Sequence, residues 1–346
     1  MNPTALSMLL ASLALGTIIT TTSYHWLFAW IGLEINTLAI MPLISKTPHP
    51  RAIEAATKYF LTQAAASMLI LFSTTLNAWV TGQWAINLQL LPLPTTLLTI
   101  SLLMKLGLAP LHFWLPEVLQ GSNLITGLIL STWQKIAPMA LLLQIHQFIN
   151  LNLMLLIGII SALIGGWGGI NETQLRKLLA FSSIAHFGWM TMILKFSPQL
   201  SMLNFTLYII MSSSIFLTLT NLSSTTMLSM SNAWPKAPTL IVLTMMSLLS
   251  LGGLPPLSGF TPKWLIINEL INQETTALAS IMMMSALLSL FFYIRLSYST
   301  TLTLFPNPSF SSNSWSYKQN PTSLIPPLII LSSLLLPMST TLLHLL

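Results

Sequence analysis

Hydrophobic residues occur along this chain in long blocks, and polar residues are concentrated in the short gaps between the blocks. A helix needs about 20 mostly apolar residues to cross a bilayer. The blocks therefore predict an all-α polytopic membrane protein with about eleven transmembrane helices. The predicted spans lie near 3–21, 25–44, 58–81, 93–119, 123–147, 151–170, 177–195, 199–221, 237–268, 276–299 and 324–344.

The gaps carry the residues of turns rather than those of a second domain. Proline, asparagine and other turn formers occur at 47–50, 91–94 and 232–235. The stretch 305–321, rich in Ser, Asn and Pro, is the single sizeable extramembrane loop that the sequence predicts. We therefore expect one transmembrane domain over residues 1–346.

An internal repeat relates the fourth and ninth predicted spans. Residues 101–117 and 247–263, aligned at an offset of 146, share eight identities in seventeen positions. The two segments are five crossings apart, and an odd separation gives the copies opposite orientations in the membrane. The sequence thus predicts two inverted five-helix repeats, 1–147 and 151–299, followed by a loop and a C-terminal helix over 300–346.

Both repeated segments contain helix-breaking residues at matching positions. These are Gly107 and Pro110 in the first segment, and Gly253, Pro255 and Pro256 in the second. Proline removes a backbone donor, and in lipid the freed carbonyls are tolerated only where they face protein or a water-filled cavity. Paired breaks in inverted halves favour an ion or substrate path, with a plain packing kink as the alternative.

Composition supports the membrane prediction and excludes several kinds of site. Only 5% of the residues are charged, 54% are hydrophobic and the mean hydropathy is +0.79, whereas soluble domains carry about a quarter charged residues. A chain this apolar cannot cover a water-facing surface. It has no Cys, which excludes disulfides and iron–sulfur clusters held by thiolates.

The net charge of +6 does not indicate nucleic-acid binding, because the basic residues are scattered along the chain. Their distribution among the loops instead predicts the orientation of the chain in the membrane. With eleven spans, most basic loop residues fall on one side together with the N-terminus, while the C-terminus and Lys195 fall on the other. The residues assigned to the positive side are Lys46, Arg51, Lys58, Arg176, Lys177, Lys236 and Lys318.

Four charged residues lie inside predicted spans: Glu34, Lys105, Lys135 and Lys263. A charge at the bilayer centre costs about 2.5–3.5 kcal/mol on insertion scales, so four together cost on the order of 10 kcal/mol. Such residues usually serve ion or proton pathways. They are therefore our candidates for proton translocation.

Other charges near span ends have simpler explanations. Snorkelling to the interface accounts for Lys58, Lys177 and Lys195 but fits Lys105 and Lys135 badly, because long apolar runs flank both. Glu117 aligns with Lys263 in the repeat. Because Glu117 lies near a span end, solvation in a loop explains it equally well.

The histidines and the glycine run are weaker signals. His112 and His186 fall at membrane depth and can serve as proton relays, since histidine titrates near neutrality, or as hydrogen-bonded packing residues. The run 165–169, Gly-Gly-Trp-Gly-Gly, lacks the spacing of a dinucleotide fingerprint and predicts a close-packed helix interface.

Together these motifs resemble the antiporter-like membrane subunits of respiratory complex I, most closely the animal mitochondrial forms. The resemblance rests on Glu34, on the passage 105–114 (KLGLAPLHFW), on Lys135, and on 252–260 (GGLPPLSGF) followed by Lys263. It covers essentially the whole chain. It implies that Glu34 and Lys105 form a switchable pair, that Lys135 is the central proton carrier, and that Lys263 guards the other half-channel.

The resemblance also implies a subunit of a proton-translocating NADH:ubiquinone reductase. NADH, FMN, iron–sulfur clusters and ubiquinone would be bound by other subunits, with no cofactor or metal in this chain. The implied partners are other membrane subunits of the complex and phospholipids, not nucleic acid. The implied location is the mitochondrial inner membrane, with the N-terminus in the matrix and the C-terminus in the intermembrane space. A subunit of a cation/proton antiporter complex and a passive membrane scaffold are the alternatives.

Overall fold

The computed structural model describes residues 2–46, 48–86, 90–234, 237–303, 324–339 and 341. Within them every regular element is a helix, as the hydrophobic blocks predict. Among the described residues, seven helical stretches are long and apolar enough to cross a membrane, with Leu124–Gln144 taken as one stretch, and three shorter helices are apolar. The chain divides into two compact units, Met1–Ile157 and Gly158–Leu346. The predicted loop at 305–321, Lys236 and Lys318 lie outside the described residues.

The first seven helices lie in the first unit. They are α1 Pro3–Thr22, α2 Trp26–Ile44, α3 Pro50–Thr81, α4 Pro92–Leu106, α5 Trp114–Gly121, α6 Leu124–Ser131 and α7 Trp133–Gln144. The third predicted span, 58–81, is too short, because α3 already begins at Pro50. His49 caps that helix by accepting a hydrogen bond from the Arg51 backbone N–H. Pro50 suits the first turn, where its missing N–H costs nothing.

The helices that follow are α8 Leu151–Gly169, α9 Leu175–Ile193, α10 Pro198–Leu222, α11 Met227–Ser231, α12 Pro238–Gly252, α13 Phe260–Asn272, α14 Thr276–Tyr298 and α15 Ile325–Leu334. A π-helical turn, Ser299–Thr303, continues α14. The predicted span 324–344 is interrupted, because α15 gives way to a short 3-10 turn, Leu336–Met338. Pro337 has no N–H to continue the α-helical ladder.

Helix α9 has the length of a span but a lower hydropathy than the seven long helices. It carries Arg176, Lys177, Ser182, Ser183 and His186. From Leu178 to Ile193 nearly all of its side chains are buried in the protein. Because other helices surround it, α9 does not need the apolar lipid-facing stripe that the sequence criterion looks for.

The predicted breaks in the fourth and ninth spans are confirmed. Helix α4 ends before Gly107 and α5 begins at Trp114, while α12 ends before Gly253 and α13 begins at Phe260. Gly107 and Gly253 adopt left-handed conformations with φ of 79° and 82°. Each donates its N–H to carbonyls of the preceding turn, which ends the helix as glycine C-caps do.

The prolines do not open these helices, and that part of the sequence interpretation is wrong. Pro110, Pro255 and Pro256 lie in the linkers after the caps and are exposed. The helices stop because a left-handed residue reverses the backbone, a conformation that glycine adopts without the steric cost paid by other residues. The prolines only follow the stop.

Replacing Gly107 with alanine should destabilise the chain more than replacing Gly82. Both glycines have positive φ, so each Gly→Ala change carries a left-handed strain of about 1–2 kcal/mol. A Cβ at Gly107 would also lie 2.8 Å from Leu115 Cδ1, whereas nothing lies within 4 Å of one at Gly82. Thermal unfolding of the assembled membrane complex measures the difference. Equal losses in Gly107→Ala and Gly82→Ala would show that the packing at the break contributes nothing.

The two units share several helix contacts. In the first unit α3 packs against α2, α4 and α5, and α7 packs against α2 and α4. In the second, α10 packs against α9, α12 and α13, and α14 packs against α9 and α12. The order of these helices along the chain is also the same.

Each unit contains one isolated antiparallel bridge between two of its loops. His25 pairs with Ala85 in the first unit, and Gln174 pairs with Thr226 in the second. Four backbone N–H groups make the flanking bonds: Trp26 to Trp84 and Ile86 to Tyr24, and Leu175 to Thr225 and Met227 to Thr173. The bond pattern is identical in the two units.

The predicted packing role of the glycine run is confirmed. A Cβ at Gly165 would lie 2.6 Å from the backbone nitrogen of Ala185 on α9. On the other side of α8, a Cβ at Gly169 would lie 2.8 Å from the Phe292 ring on α14. The glycines therefore allow α8 to approach two neighbouring helices closely.

Candidate functional site

Lys105 and Lys135 line the same small cavity inside the first unit. Their side chains are almost completely buried, with exposed fractions of 5% and 2%. The cavity holds about 10 Å³, close to the room that one water molecule requires. Its other polar lining residues are Thr37, Tyr59, Gln63 and Gln134. Two candidate proton carriers thus face one space, which polar and apolar side chains line together.

Lys105 lies in the last turn of α4, directly before the Gly107 cap. Trp114 Nε1 donates a hydrogen bond to the Met104 carbonyl oxygen at 3.2 Å, and Gln63 Nε2 donates to the Lys105 carbonyl oxygen at 3.5 Å. These side chains add hydrogen bonds to carbonyls at the helix end, where the α-helical ladder stops. The break therefore both ends α4 and fixes the position of Lys105.

Glu34, in the middle of α2, is close enough to interact electrostatically with Lys105 and Tyr59. Glu34 Oε2 and Lys105 Nζ are both buried and have no hydrogen-bond partner among the described residues. No direct ion pair joins these two side chains in that part of the chain. Their interaction is therefore electrostatic rather than a direct contact.

Lys135 lies just after an interruption that the sequence reading, with one span over 123–147, did not predict. Thr132 departs from helical geometry and separates α6 from α7, and the Lys135 N–H bonds to the Thr132 carbonyl oxygen at 3.2 Å. Pro138 lies three residues further on and cannot donate to the Gln134 carbonyl. The neighbouring Gln134 reaches α2, where Nε2 donates to the Asn36 carbonyl oxygen at 2.9 Å.

Lys263 lies in the second unit and is 8% exposed. Its ammonium donates a hydrogen bond to the Gly252 carbonyl oxygen at 2.8 Å, across the second break. That carbonyl belongs to the C-terminal end of α12, where the helix dipole favours a cation. The lysine on the second half-helix thus contacts the end of the first half-helix.

Neither histidine lines the Lys105–Lys135 cavity. His112 lies in the linker between α4 and α5, is 4% exposed, and has Nδ1 3.3 Å from the Pro110 carbonyl oxygen. His186, on α9, is 6% exposed, and its ring lies 5.5 Å from that of Tyr208. Tyr208 in turn interacts with Ser183 and Ser212. Both histidines are therefore buried, and their contacts fit a relay and a packing role equally.

The outer charges form ion pairs at the protein surface. Lys58 Nζ lies 2.6 Å from Glu54 Oε1 and 2.5 Å from Glu117 Oε2, and all three side chains are substantially exposed. Glu117 thus links α5 to α3 through Lys58. It is exposed, as expected for a residue near a span end, but it is also paired. Lys177 pairs with Glu172 at 3.9 Å. Arg295, on α14, donates to the Ile170 carbonyl oxygen.

No group of three or more potential metal-ligating residues occurs in the described part of the chain. That this chain binds no metal or cofactor stays a prediction from the sequence. What the site offers is titratable and hydrogen-bonding chemistry.

Sequence reasoning missed four of the polar residues that line the cavity: Thr37, Tyr59, Gln63 and Gln134. A signal for two of them was present, because Gln63 lies within a predicted span and Gln134 lies next to Lys135. Polar groups in a span need internal partners, so each such residue marks a protein-facing position. Only the folded chain shows that these positions share one cavity.

Comparison with known proteins gives full-length matches. Residues 23–289 match the family model described as NADH:quinone oxidoreductase/Mrp antiporter, TM, and residues 290–343 match NADH dehydrogenase subunit 2 C-terminus. The chain is 62% identical to NADH-ubiquinone oxidoreductase chain 2 of Aquarana catesbeiana, over 99% of both proteins. It is 59% identical to the Xenopus laevis protein of the same name, over 98% of this chain and 99% of that one.

Solved structures share the fold. A chain of respiratory complex I from Thermus thermophilus with bound aureothin superposes with a TM-score of 0.81 at 27% identity, covering 99% of this chain and 77% of that one. A chain of the Mrp complex from Dietzia sp. superposes with a TM-score of 0.77 at 17% identity, covering 97% and 74%. The second match concerns the fold alone.

Proposed function

The chain belongs to the NADH-ubiquinone oxidoreductase chain 2 family, and we propose that it moves protons along a path built from Glu34, Lys105, Lys135 and Lys263. It is a core membrane-arm subunit of the proton-pumping complex that transfers electrons from NADH to ubiquinone. Its partners are other subunits of that complex. A role in a cation/proton antiporter complex is not favoured, because the Mrp likeness is one of fold.

The cavity shared by Lys105 and Lys135 is the observation that carries this proposal. Lys105 and Lys135 are almost completely buried, and polar side chains line the cavity that they share. Their amines can therefore exchange a proton through one water molecule or through those side chains. A change in the charge or position of Glu34 alters the proton affinity of Lys105, because opposite charges favour each other's ionised form. Electron transfer in other subunits would supply the energy.

The test is proton translocation by an assembled complex in which Lys135 cannot titrate. A proton yield per NADH equal to that of the parent enzyme would favour the scaffold alternative. His112 and His186 remain candidate relays within the proposal. Lys263, in the second unit, is the candidate residue that guards the other half-channel of the proposed path.

The inverted repeat, 1–147 and 151–299, is part of the same proposal. Matching glycine caps at residues 107 and 253, matching helix contacts and matching loop bridges all support two copies of one unit. Residues 300–346 would then be an addition to the repeats. Two copies inserted with opposite orientations would give each membrane face one broken-helix half-channel.

The proposed setting is the mitochondrial inner membrane, with the N-terminus in the matrix. Lys46, Arg51 and Lys58 cluster where α2 ends and α3 begins, and Arg176 and Lys177 begin α9 while Lys195 follows its end. The positive-inside rule puts the larger groups on the matrix face.

Labelling in sealed inner-membrane vesicles should therefore divide the charges into two groups. We expect single cysteines at Lys46 and Arg176 to react from the matrix face, because they replace residues on the predicted positive side. A cysteine at Lys195 should react from the opposite face. This chain has no native Cys, so each label reports one position. Reaction of the Lys46 and Arg176 positions from opposite faces would contradict the predicted span count.

A further inference from the structure

Tyr59, on α3, is a buried phenol that lines the cavity of the proposed proton site and lies within electrostatic range of Glu34. It is 2% exposed and lines the cavity that Lys105 and Lys135 share. It also interacts electrostatically with Glu34. Its ring packs edge-on against Trp114 with centroids 5.8 Å apart, and Trp114 Nε1 caps the turn that carries Lys105. Packing therefore holds the phenol in a defined orientation.

The surroundings contain two charged groups that need hydrogen-bond partners. Glu34 Oε2 and Lys105 Nζ are buried and have none among the described residues. Buried charges are normally hydrogen-bonded, because an unpaired one carries a large desolvation cost. A phenol can donate to a carboxylate and accept from an ammonium or a water molecule. Thr37 also borders the cavity, but its hydroxyl donates to the Glu34 backbone carbonyl oxygen, whereas Tyr59 borders the cavity and interacts electrostatically with Glu34.

The second unit shows the same arrangement with a different partner. Glu34 and Ser183 are each the ninth residue of their helices, α2 and α9. Tyr59 follows Glu34 by 25 positions, and Tyr208 follows Ser183 by 25 positions. Tyr208 is also buried, and it interacts with Ser183. A tyrosine directed at this position of the neighbouring helix is thus common to both units, while the carboxylate occurs in the first.

We propose that Tyr59 is a positioning residue whose hydroxyl connects the Glu34 carboxylate, by hydrogen bonding through a water molecule, to the cavity between Lys105 and Lys135. This inference rests on the proposed proton path. In that arrangement Tyr59 keeps Glu34 oriented toward Lys105. Proton exchange at Lys105 then depends on a hydroxyl that never changes its own charge.

The test uses the complete complex carrying Tyr59→Phe, which keeps the ring against Trp114 and removes only the hydroxyl. We expect normal assembly and about a tenfold loss of NADH-driven proton translocation, the size of a lost hydrogen bond to a charged group. The matched control is Tyr293→Phe, since Tyr293 is equally buried but lies outside the cavity. Equal effects of the two substitutions would overturn the inference.

A double-mutant cycle separates this inference from the proposed function. If Tyr59 acts through Glu34, Tyr59→Phe should cause less than about a twofold further loss in a Glu34→Gln background, because coupled residues are not additive. A multiplied loss would overturn the inference. Full activity of Glu34→Gln would overturn the proposed path and the inference with it, whereas an impaired Glu34→Gln with a silent Tyr59→Phe would overturn only the inference.

If Glu34→Gln leaves too little turnover to measure, infrared difference spectroscopy tests whether the Tyr59 hydroxyl interacts with the Glu34 carboxyl group. The carboxyl band of Glu34 is the one that Glu34→Gln removes. It should shift in Tyr59→Phe, because the proposed water-mediated hydrogen bond from the hydroxyl to that group would be lost. A band at an unchanged frequency would overturn the inference.

Discussion

Lys135→Met should assemble normally and lose most of its proton translocation. Methionine keeps much of the lysine volume, so the packing around this 2% exposed side chain is retained while the titratable amine is removed. We expect coupled NADH oxidation to fall by roughly 100-fold, the lower end of what a positioned proton-transfer group contributes. The measurements are the rate of NADH oxidation and the number of protons translocated per NADH oxidised, in vesicles that contain the assembled variant enzyme.

Two further variants sharpen this experiment. Lys135→Arg keeps the positive charge but cannot release its proton at accessible pH, so it should also impair the enzyme. Lys46→Met removes a lysine that is exposed at the end of α2 and should behave like the parent enzyme. Normal stoichiometry and rate in Lys135→Met would show that this subunit serves as a scaffold.

Lys263→Gln should be nearly as defective as Lys263→Met, although glutamine can still donate a hydrogen bond. The Lys263 ammonium bonds the Gly252 carbonyl oxygen at the end of α12, so this lysine has both a structural contact and a titratable charge. If the charge carries the function, both variants should lose about tenfold or more in proton translocation, because both lack the titratable amine that a proton-transfer step needs.

The comparison distinguishes a helix cap from a proton carrier. A cap needs only an N–H donor, which the glutamine side chain supplies. Lys263→Gln with parental translocation and Lys263→Met with reduced assembly would therefore assign Lys263 to the stability of the break. Blue-native electrophoresis of the same membranes reports assembly independently of turnover.

The sequence predicted the main helices well because lipid imposes one strong rule on the chain. A spanning segment must satisfy its backbone internally and present apolar side chains, so hydropathy reveals α1, α2, α8 and α10 almost to their ends. The rule weakens where protein replaces lipid, which is why buried α9 has so low a hydropathy. It also says nothing of the interruption before Lys135, because Thr132 is not a strong helix breaker.

The sequence alone predicts only the charged residues of the candidate site. Glu34, Lys105, Lys135 and Lys263 are conspicuous because a charge in an apolar run is expensive. The neutral residues that connect them, such as Tyr59, cost little and carry no comparable signal. Their role depends on which helix faces touch. That information lies in tertiary packing and not in the local pattern.

The loop bridges of the two units consist of main-chain atoms alone. Any residue except proline can donate at Trp26, Ile86, Leu175 and Met227, so sequence divergence can replace every side chain there and leave the bonds intact. In each unit these main-chain hydrogen bonds connect two loops between helices, and a change of side chain other than to proline leaves the bonds in place. If the two units are copies of one unit, as proposed above, this main-chain pairing would persist after their side chains had diverged.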